Sequence, residues 1–365
     1  MSGIALTYKL KQTDAPQQVG DSSVDLHIDY WKLPHNSAYQ RFIDFGIMIH
    51  NARSIDSISL YVPFKDENIL SRIEDLGEVI TSGTFLSVLF NEDYVINTDS
   101  RSPFYKYATS KGKAGVQKSF WIYILNQTNF EIVNTPYQEG SLITIRMLAS
   151  PDTPSGVPQE QQSVDQYTEK NYDVYLRFRI NDIKIGEFST IESIDNDPFQ
   201  SIFSQTELVN IHLNSIRDID MADYQLLKTA GSFFNLNKVH FYFVGSTQEE
   251  TITGGAQYQD CVLLDSKHWK NYIKIPLPLN RNCVSYHWKF DQLQNTCHIF
   301  CRTIFKSSNW KKICIYIAIV VLTGIFASYI ANLIPTSQAE NTDIEQVSDS
   351  IHSQSPSDDR ETTER

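Results

Sequence analysis

The chain is 365 residues long and carries 31 Lys and Arg against 43 Asp and Glu, a formal net charge of −12. Apolar residues make up 41% and charged residues 20%, which excludes a disordered chain and suffices for one large core or two modest ones. The acidic balance argues against nucleic acid as a partner, because phosphate recognition rests on a positive footprint.

The opening, MSGIALTYKLKQ, has no apolar core of the length a secretory leader needs, and its glycine is residue 3 rather than 2, so neither export nor myristoylation is expected. Period-two alternation then dominates. Val24, Leu26, Ile28 and Tyr30 form one set, Ile43, Phe45, Ile47 and Ile49 the next, and Ile58, Leu60, Val62 and Phe64 a third. Further sets follow at Phe120–Ile124, Ile143–Met147, Val174–Ile180, Val209–Leu213 and Val239–Phe243. Such alternation predicts strands with one face on a core and the other in water. Short connections favour antiparallel pairing. Helices are expected at Asn68–Ile80, Thr84–Phe90, Ala222–Thr229 and Ser266–Ile273. The expected fold is a β-rich, antiparallel, sandwich-like α+β body with peripheral helices.

Residues 150–170 hold three prolines and no apolar periodicity, the pattern of a linker or long loop. It divides the body into an expected first lobe, 1–149, and a second, 171–300. A faint internal echo accompanies the division: Asn51-Ala-Arg53-Ser-Ile55-Asp56 in the first lobe and Asn214-Ser-Ile-Arg217-Asp-Ile219-Asp220 in the second.

Candidate chemistry is sparse. Asp25, His27 and Asp29 fall on one strand face, where two carboxylates and an imidazole could ligate a metal, but a solvated face of an antiparallel sheet is the favoured reading. Their D-x-H spacing resembles the opening of metallophosphoesterases, but the Gly-Asn-His ligand loops of those enzymes are missing here. Cys261, His268, Cys283, His287, Cys297, His298 and Cys301 cluster in sequence without any C-x₂-C spacing, so small buried hydrophobes are a plainer reading than zinc ligands. Cys301 and Cys314 are candidates for palmitoylation. The stretch Phe104–Lys118 carries Lys106, Lys111, Lys113 and Lys118 and no acid, a basic loop able to meet a phosphate or a lipid headgroup. Nucleophile-elbow, zincin, dinucleotide-binding, kinase and deaminase motifs do not occur. No catalytic residue and no cofactor are nominated, and a non-enzymatic protein is the favoured reading.

Ile313 to Ile334 is a run of 22 residues without a charge. As a helix it would span about 33 Å, enough to cross a hydrocarbon core of about 30 Å. Trp310 and Tyr329 suit headgroup level, and Pro335 closes the run. Arg302, Lys306, Lys311 and Lys312 precede it, in a basic juxtamembrane segment, 301–312; part of the run Cys297–Lys312, where Ile299, Phe300, Ile304 and Phe305 stand among these basic residues, is expected to lie along the membrane surface. The tail, 335–365, is acidic and poor in apolar residues, so it is expected to be disordered. The basic excess assigns the body to the cytosol and the tail to the far side. Within the run, Ala318, Gly324, Ser328 and Ala331 supply a small-residue face suited to self-association.

The leading expectation is therefore a single-pass protein, anchored at its C-terminal end, that displays a binding domain for an unidentified protein or small molecule. A membrane effector of bacterial stress or phage-defence type, clustering on ligand binding, is the alternative by architecture alone. A metal-dependent hydrolase built on Asp25, His27 and Asp29 is the third.

Overall fold

A computed structural model describes residues 3–12, 22–35, 38–82, 84–97, 104–110, 117–125, 130–134, 140–147, 171–192, 204–253, 257–264, 266–274, 283–291, 293, 295–306 and 310–333. The chain forms two compact units, Met1–Asn309 and Trp310–Arg365.

The first unit is built from strands β1 (Gly3–Leu10), β2 (Ser23–His35), β3 (Ala38–Ile49), β4 (Ile55–Val62), β5 (Ile73–Asp75), β6 (Tyr94–Asn97), β7 (Tyr105–Ser110), β8 (Lys118–Tyr123), β9 (Phe130–Asn134) and β10 (Ser141–Arg146). It continues through β11 (Val174–Ile180), β12 (Ser189–Glu192), β13 (Ser204–Leu213), β14 (Ser232–Phe233), β15 (Asn235–Ser246), β16 (Glu250–Thr253), β17 (Asp260–Leu264), β18 (Cys283–Asp291) and β19 (Cys297–Lys306). A nine-stranded sheet runs β16-β19-β13-β1-β4-β10-β9, with β12 on β13 and β14 on β1. A ten-stranded sheet runs β17-β18-β15-β2-β3-β11-β8-β7-β6, with β5 on β11.

The β-rich class expected from the alternation is the class observed, but the sheets are mixed rather than purely antiparallel. β1 with β13, β8 with β11 and β2 with β15 pair in parallel. Each parallel pair joins strands far apart in sequence, which short-connection reasoning does not reach. Both sheets contain strands from before and after residues 150–170, joined at β13–β1 in the first sheet and interleaved through β11 in the second, so the spans 1–149 and 171–300 share both sheets within one compact unit. The sequence echo has a local counterpart. Asn51 and Asn214 both sit in the left-handed region, at φ 58° and 51°, each leading to a single 3₁₀ turn. Asparagine tolerates that conformation better than most residues.

The inner faces of the sheets meet in one core. Ile4, Leu6, Ile58, Leu60, Val209 and Ile211 come from the first sheet, and Ile28, Phe45, Leu176, Phe178, Phe241 and Phe243 from the second. Burying each such side chain stabilises the fold by about 1.5–3 kcal/mol before entropy is counted. The second sheet is also covered on its outer side. There Leu76, Ile80, Leu86, Tyr272 and Ile273 pack over Trp31, Phe42, Met48, Ile122 and Tyr175.

Two expectations change. Asn68–Ile80 is not one helix: short helices at Ile69–Arg72 and Gly77–Thr81 flank β5, which pairs with β11 through Glu74 and Arg179. Tertiary pairing overrides helix propensity here. The other three helices form, at Phe85–Phe90, Met221–Ala230 and Ser266–Ile273. The segment from Cys297 is likewise not a surface-lying run. It is β19, paired along its length with β13, and Ile299, Cys301 and Phe305 are buried. Its apolar residues recur every second position, the period of a strand and not of an amphipathic helix.

The second unit, described by itself, is the helix Trp310–Leu333.

Candidate functional site

Alternation places Asp25, His27, Asp29 and Trp31 on the outer face of the second sheet, as expected, but that face is not solvated. His27 and Asp29 are buried, and Asp25 is partly so. The same face carries Asp44 and Gly46 from β3 and Tyr175, Arg177 and Arg179 from β11. The register sets Asp29 opposite Asp44, and Arg177 opposite Gly46.

These side chains form a closed ionic network. Arg177 donates to the Asp29 carboxylate, to Tyr272 Oη at 2.6 Å and to Tyr175 Oη at 3.1 Å. Arg179 grips both oxygens of Asp44, at 2.7 and 3.0 Å. Asp44 also accepts from Trp31 Nε1 at 3.0 Å and Tyr272 Oη at 2.8 Å. Both arginines and Asp44 are essentially excluded from water. Burial pushes the Asp29 carboxyl up, against the opposing pull of Arg177. Gly46 makes the crossing possible: a Cβ there would meet Tyr175 Oη and the Arg177 guanidinium. This is the close approach that requires glycine.

Toward the β18 edge the network gives way to imidazoles. His27 lies beside His240 in the parallel register of β2 and β15, with ring centroids 4.9 Å apart. His240 Nδ1 is 3.0 Å from His287 Nε2, and the His287 ring stacks on Tyr242 at 4.2 Å. Burial lowers the pKa of all three histidines, most strongly at His27 and to about 4 at His240, where His287 adds to the effect. The three rings are therefore neutral at pH 7, and the His240–His287 contact holds at most one ring proton between the two facing nitrogens. A half-buried patch of neutral imidazole and phenol can donate and accept hydrogen bonds while offering flat apolar faces.

Asp25, at the far end of that face, joins a different cluster. It accepts from Asn237 at 2.8 Å and lies 3.4 Å from His50 Nε2, while His50 Nδ1 is 3.0 Å from Asp173. The hydrogen bonds to Asp173 and Asp25 raise His50 to about 9. Although burial alone would push the Asp25 carboxyl up, His50 and Lys238 hold it below the usual range. Asp25, His27 and Asp29 thus share a face, yet each is committed to different partners.

The remaining sequence candidates disperse. Lys106 stands 3.8 Å from Glu78, and Lys118 pairs with Glu92 at 3.0 Å. Lys111, Lys113 and the sequon at 126–128 lie outside the described residues. Cys283, Cys297 and Cys301 are buried thiols whose pKa burial raises to about 11, 12 and 12, whereas Cys261 and Cys314 are exposed. Trp310, Lys311 and Lys312 open the last helix, and Tyr329 lies exposed near its end. On that helix Gly324, Ser328 and Ala331 fall within an arc of about 60°, whereas Ala318 lies about 80° outside it and does not share that face. Space beside Gly324 is open. The tail, 335–365, lies outside the described residues.

Sequence reasoning missed Asp44, Arg177, Arg179 and Tyr272, and with them a second buried cluster inside the core. There Lys32 lies 3.1 Å from Glu207 and 3.0 Å from Glu249, beneath the Phe305 ring at 3.7 Å, and Arg41 forms two hydrogen bonds with Glu207, each 2.9 Å. Two arginines and an aspartate set inside otherwise apolar strands, Val174–Ile180 and Phe42–Ile49, were the available signal. No protein-family model matches this sequence, and no curated protein does.

Proposed function

We propose that this protein is a membrane-anchored binding module: a β-rich body held at the cytoplasmic face of a bilayer by one helix. The observation that carries the reading is the helix itself. Ile313–Leu333 spans 21 residues, with a mean hydropathy of 2.4 over an 18-residue window of which none is buried. A helix apolar on all sides needs an apolar surround, and lipid supplies one. The basic residues that precede it, against the acids that follow, support a cytosolic body.

A binding role, rather than a catalytic one, is supported by the way the body spends its charged groups. Asp29, Asp44, Arg177 and Arg179 are matched to one another in the sheet, as are Lys32, Arg41, Glu207 and Glu249 in the core. The β17 strand, at the end of its sheet, exposes Val262 and Leu263, which favours a protein partner over a small ligand.

Cys261 on β17 tests the sidedness. In cells producing the full chain, a membrane-impermeant maleimide should label Cys261 only after the cells are opened, and a Cys261→Ser variant should lose that label. Labelling of Cys261 in intact cells would reverse the orientation.

A further inference from the structure

On the outer face of the first sheet, a constellation unrelated to the membrane reading comes together. His212 of β13 and His298 of β19 are direct cross-strand partners, and their ring centroids are 4.5 Å apart. The 3₁₀ turn Ile216–Asp218 folds back so that Asp218 Oδ2 stands 2.7 Å from His212 Nδ1. One donor atom from each of the three residues lies within 4.8 Å of the others, the one such group among the described residues. We infer that His212, Asp218 and His298 form a binding site for a divalent first-row transition metal ion, with zinc as the best match.

The donor set carries the choice of ion. Two imidazoles and a carboxylate are borderline ligands that suit zinc, iron or cobalt, whereas magnesium and calcium favour all-oxygen shells. Zinc bonds of about 2.0–2.1 Å place tetrahedral ligands about 3.3 Å apart, so an entering ion needs only small adjustments of the side chains. His212 Nδ1 is shut off from water and faces the Asp218 carboxylate oxygen at 2.7 Å, so two ligand atoms already stand at close range.

The scaffold is prepared for the ion. Ser215 Oγ donates to Asp218 Oδ2 at 2.5 Å and so orients the carboxylate from behind, as outer partners of metal ligands do. Asn214 fixes the start of the turn: its backbone N–H donates to the Ile4 carbonyl at 2.7 Å, and its side-chain oxygen accepts from Leu6 N–H at 2.9 Å. Gly3 lies directly against the Asp218 carbonyl, where any side chain would push the turn away. His298 is exposed, which leaves coordination positions open to water or to a donor on an incoming partner.

The test uses the full chain in detergent, stripped with a chelator and titrated with zinc against a colorimetric zinc indicator. One ion per chain should bind, and His212→Gln, Asp218→Asn and His298→Gln should each weaken it at least tenfold. Zinc should raise the melting temperature of the parent chain but not of the His298→Gln variant, whose exposed position leaves the fold intact. Affinity should persist in His287→Gln, which breaks the other imidazole pair. The assignment is overturned by absence of bound zinc, by undiminished binding in Asp218→Asn and His298→Gln, or by loss in His287→Gln instead.

Discussion

Arg177 of β11 reaches across β3 to the carboxylate of Asp29 on β2, passing over Gly46, which has no side chain to stand between them. One absent methyl group thus joins two strands that are not neighbours. Because the guanidinium also binds Tyr175 and Tyr272, the same crossing ties the helix Ser266–Ile273 to the sheet.

Gly46→Ala should therefore disturb more than one contact. The added carbon would collide with Tyr175 Oη and the Arg177 guanidinium, neither of which has free space to retreat into. Overpacking of this kind costs about 1–3 kcal/mol. Urea unfolding of the full chain in detergent should show the variant destabilised by at least that much.

Removing one side of the ion pair should be worse than removing both. Arg177→Met leaves the Asp29 carboxylate buried and unpaired, and Asp29→Asn strands Arg177, at about 3–5 kcal/mol each. The double variant should fall well short of the sum, because neither charge then remains uncompensated. Additive losses in the cycle would mean that the two side chains do not act as a pair.

Two histidines should shape opposite limbs of the stability profile. His50 titrates near 9 in the folded chain against its ordinary 6.5, so its contribution is whole below pH 6.5 and disappears as the pH climbs through 9. His240 titrates near 4, so its contribution is whole above pH 6.5 and disappears as the pH drops through 4. His50→Gln should flatten the alkaline limb by about 2 kcal/mol, allowing for solvent screening of a ring that is partly exposed. His240→Gln should flatten the acid limb. Melting curves from pH 4 to pH 9 read both.

Thiol reactivity should separate the cysteines by burial. Burial keeps Cys283, Cys297 and Cys301 protonated far above neutral pH and out of reach, while Cys261 is exposed on β17. Mass spectrometry of the native chain treated with a water-soluble maleimide should find Cys261 modified in minutes. The three buried thiols should react only in denaturant.

Much of the scaffold was legible before the structure. Val24–Tyr30, Ile43–Ile49 and Val239–Phe243 announce their strands because period-two alternation follows directly from the pleat. The apolar run to Leu333 announces its helix by length alone. What alternation cannot say is whether the polar face of a strand is wet. Asp29, Asp44, Arg177 and Arg179 alternate as solvent-facing residues would, yet helices at Gly77–Thr81, Phe85–Phe90 and Ser266–Ile273 fold over them from distant parts of the chain. The strands β18 and β19 went unnamed in the sequence, although the reading of Cys283, Cys297 and Cys301 as small buried residues agrees with their place in the core. His298 was noticed only in that company. Its partners, His212 and Asp218, are more than seventy residues away, joined to it by a strand pairing that no local pattern encodes.

Alkaline carbonate washing of membranes from cells producing the full chain bears most directly on the account, since it strips proteins held by charge and leaves those held by lipid. The chain should sediment with the vesicles, and a variant carrying Val321→Lys and Ile325→Lys, which breaks the apolar run without touching the body, should pass into the supernatant. Release of the parent chain by the same wash would contradict the anchor.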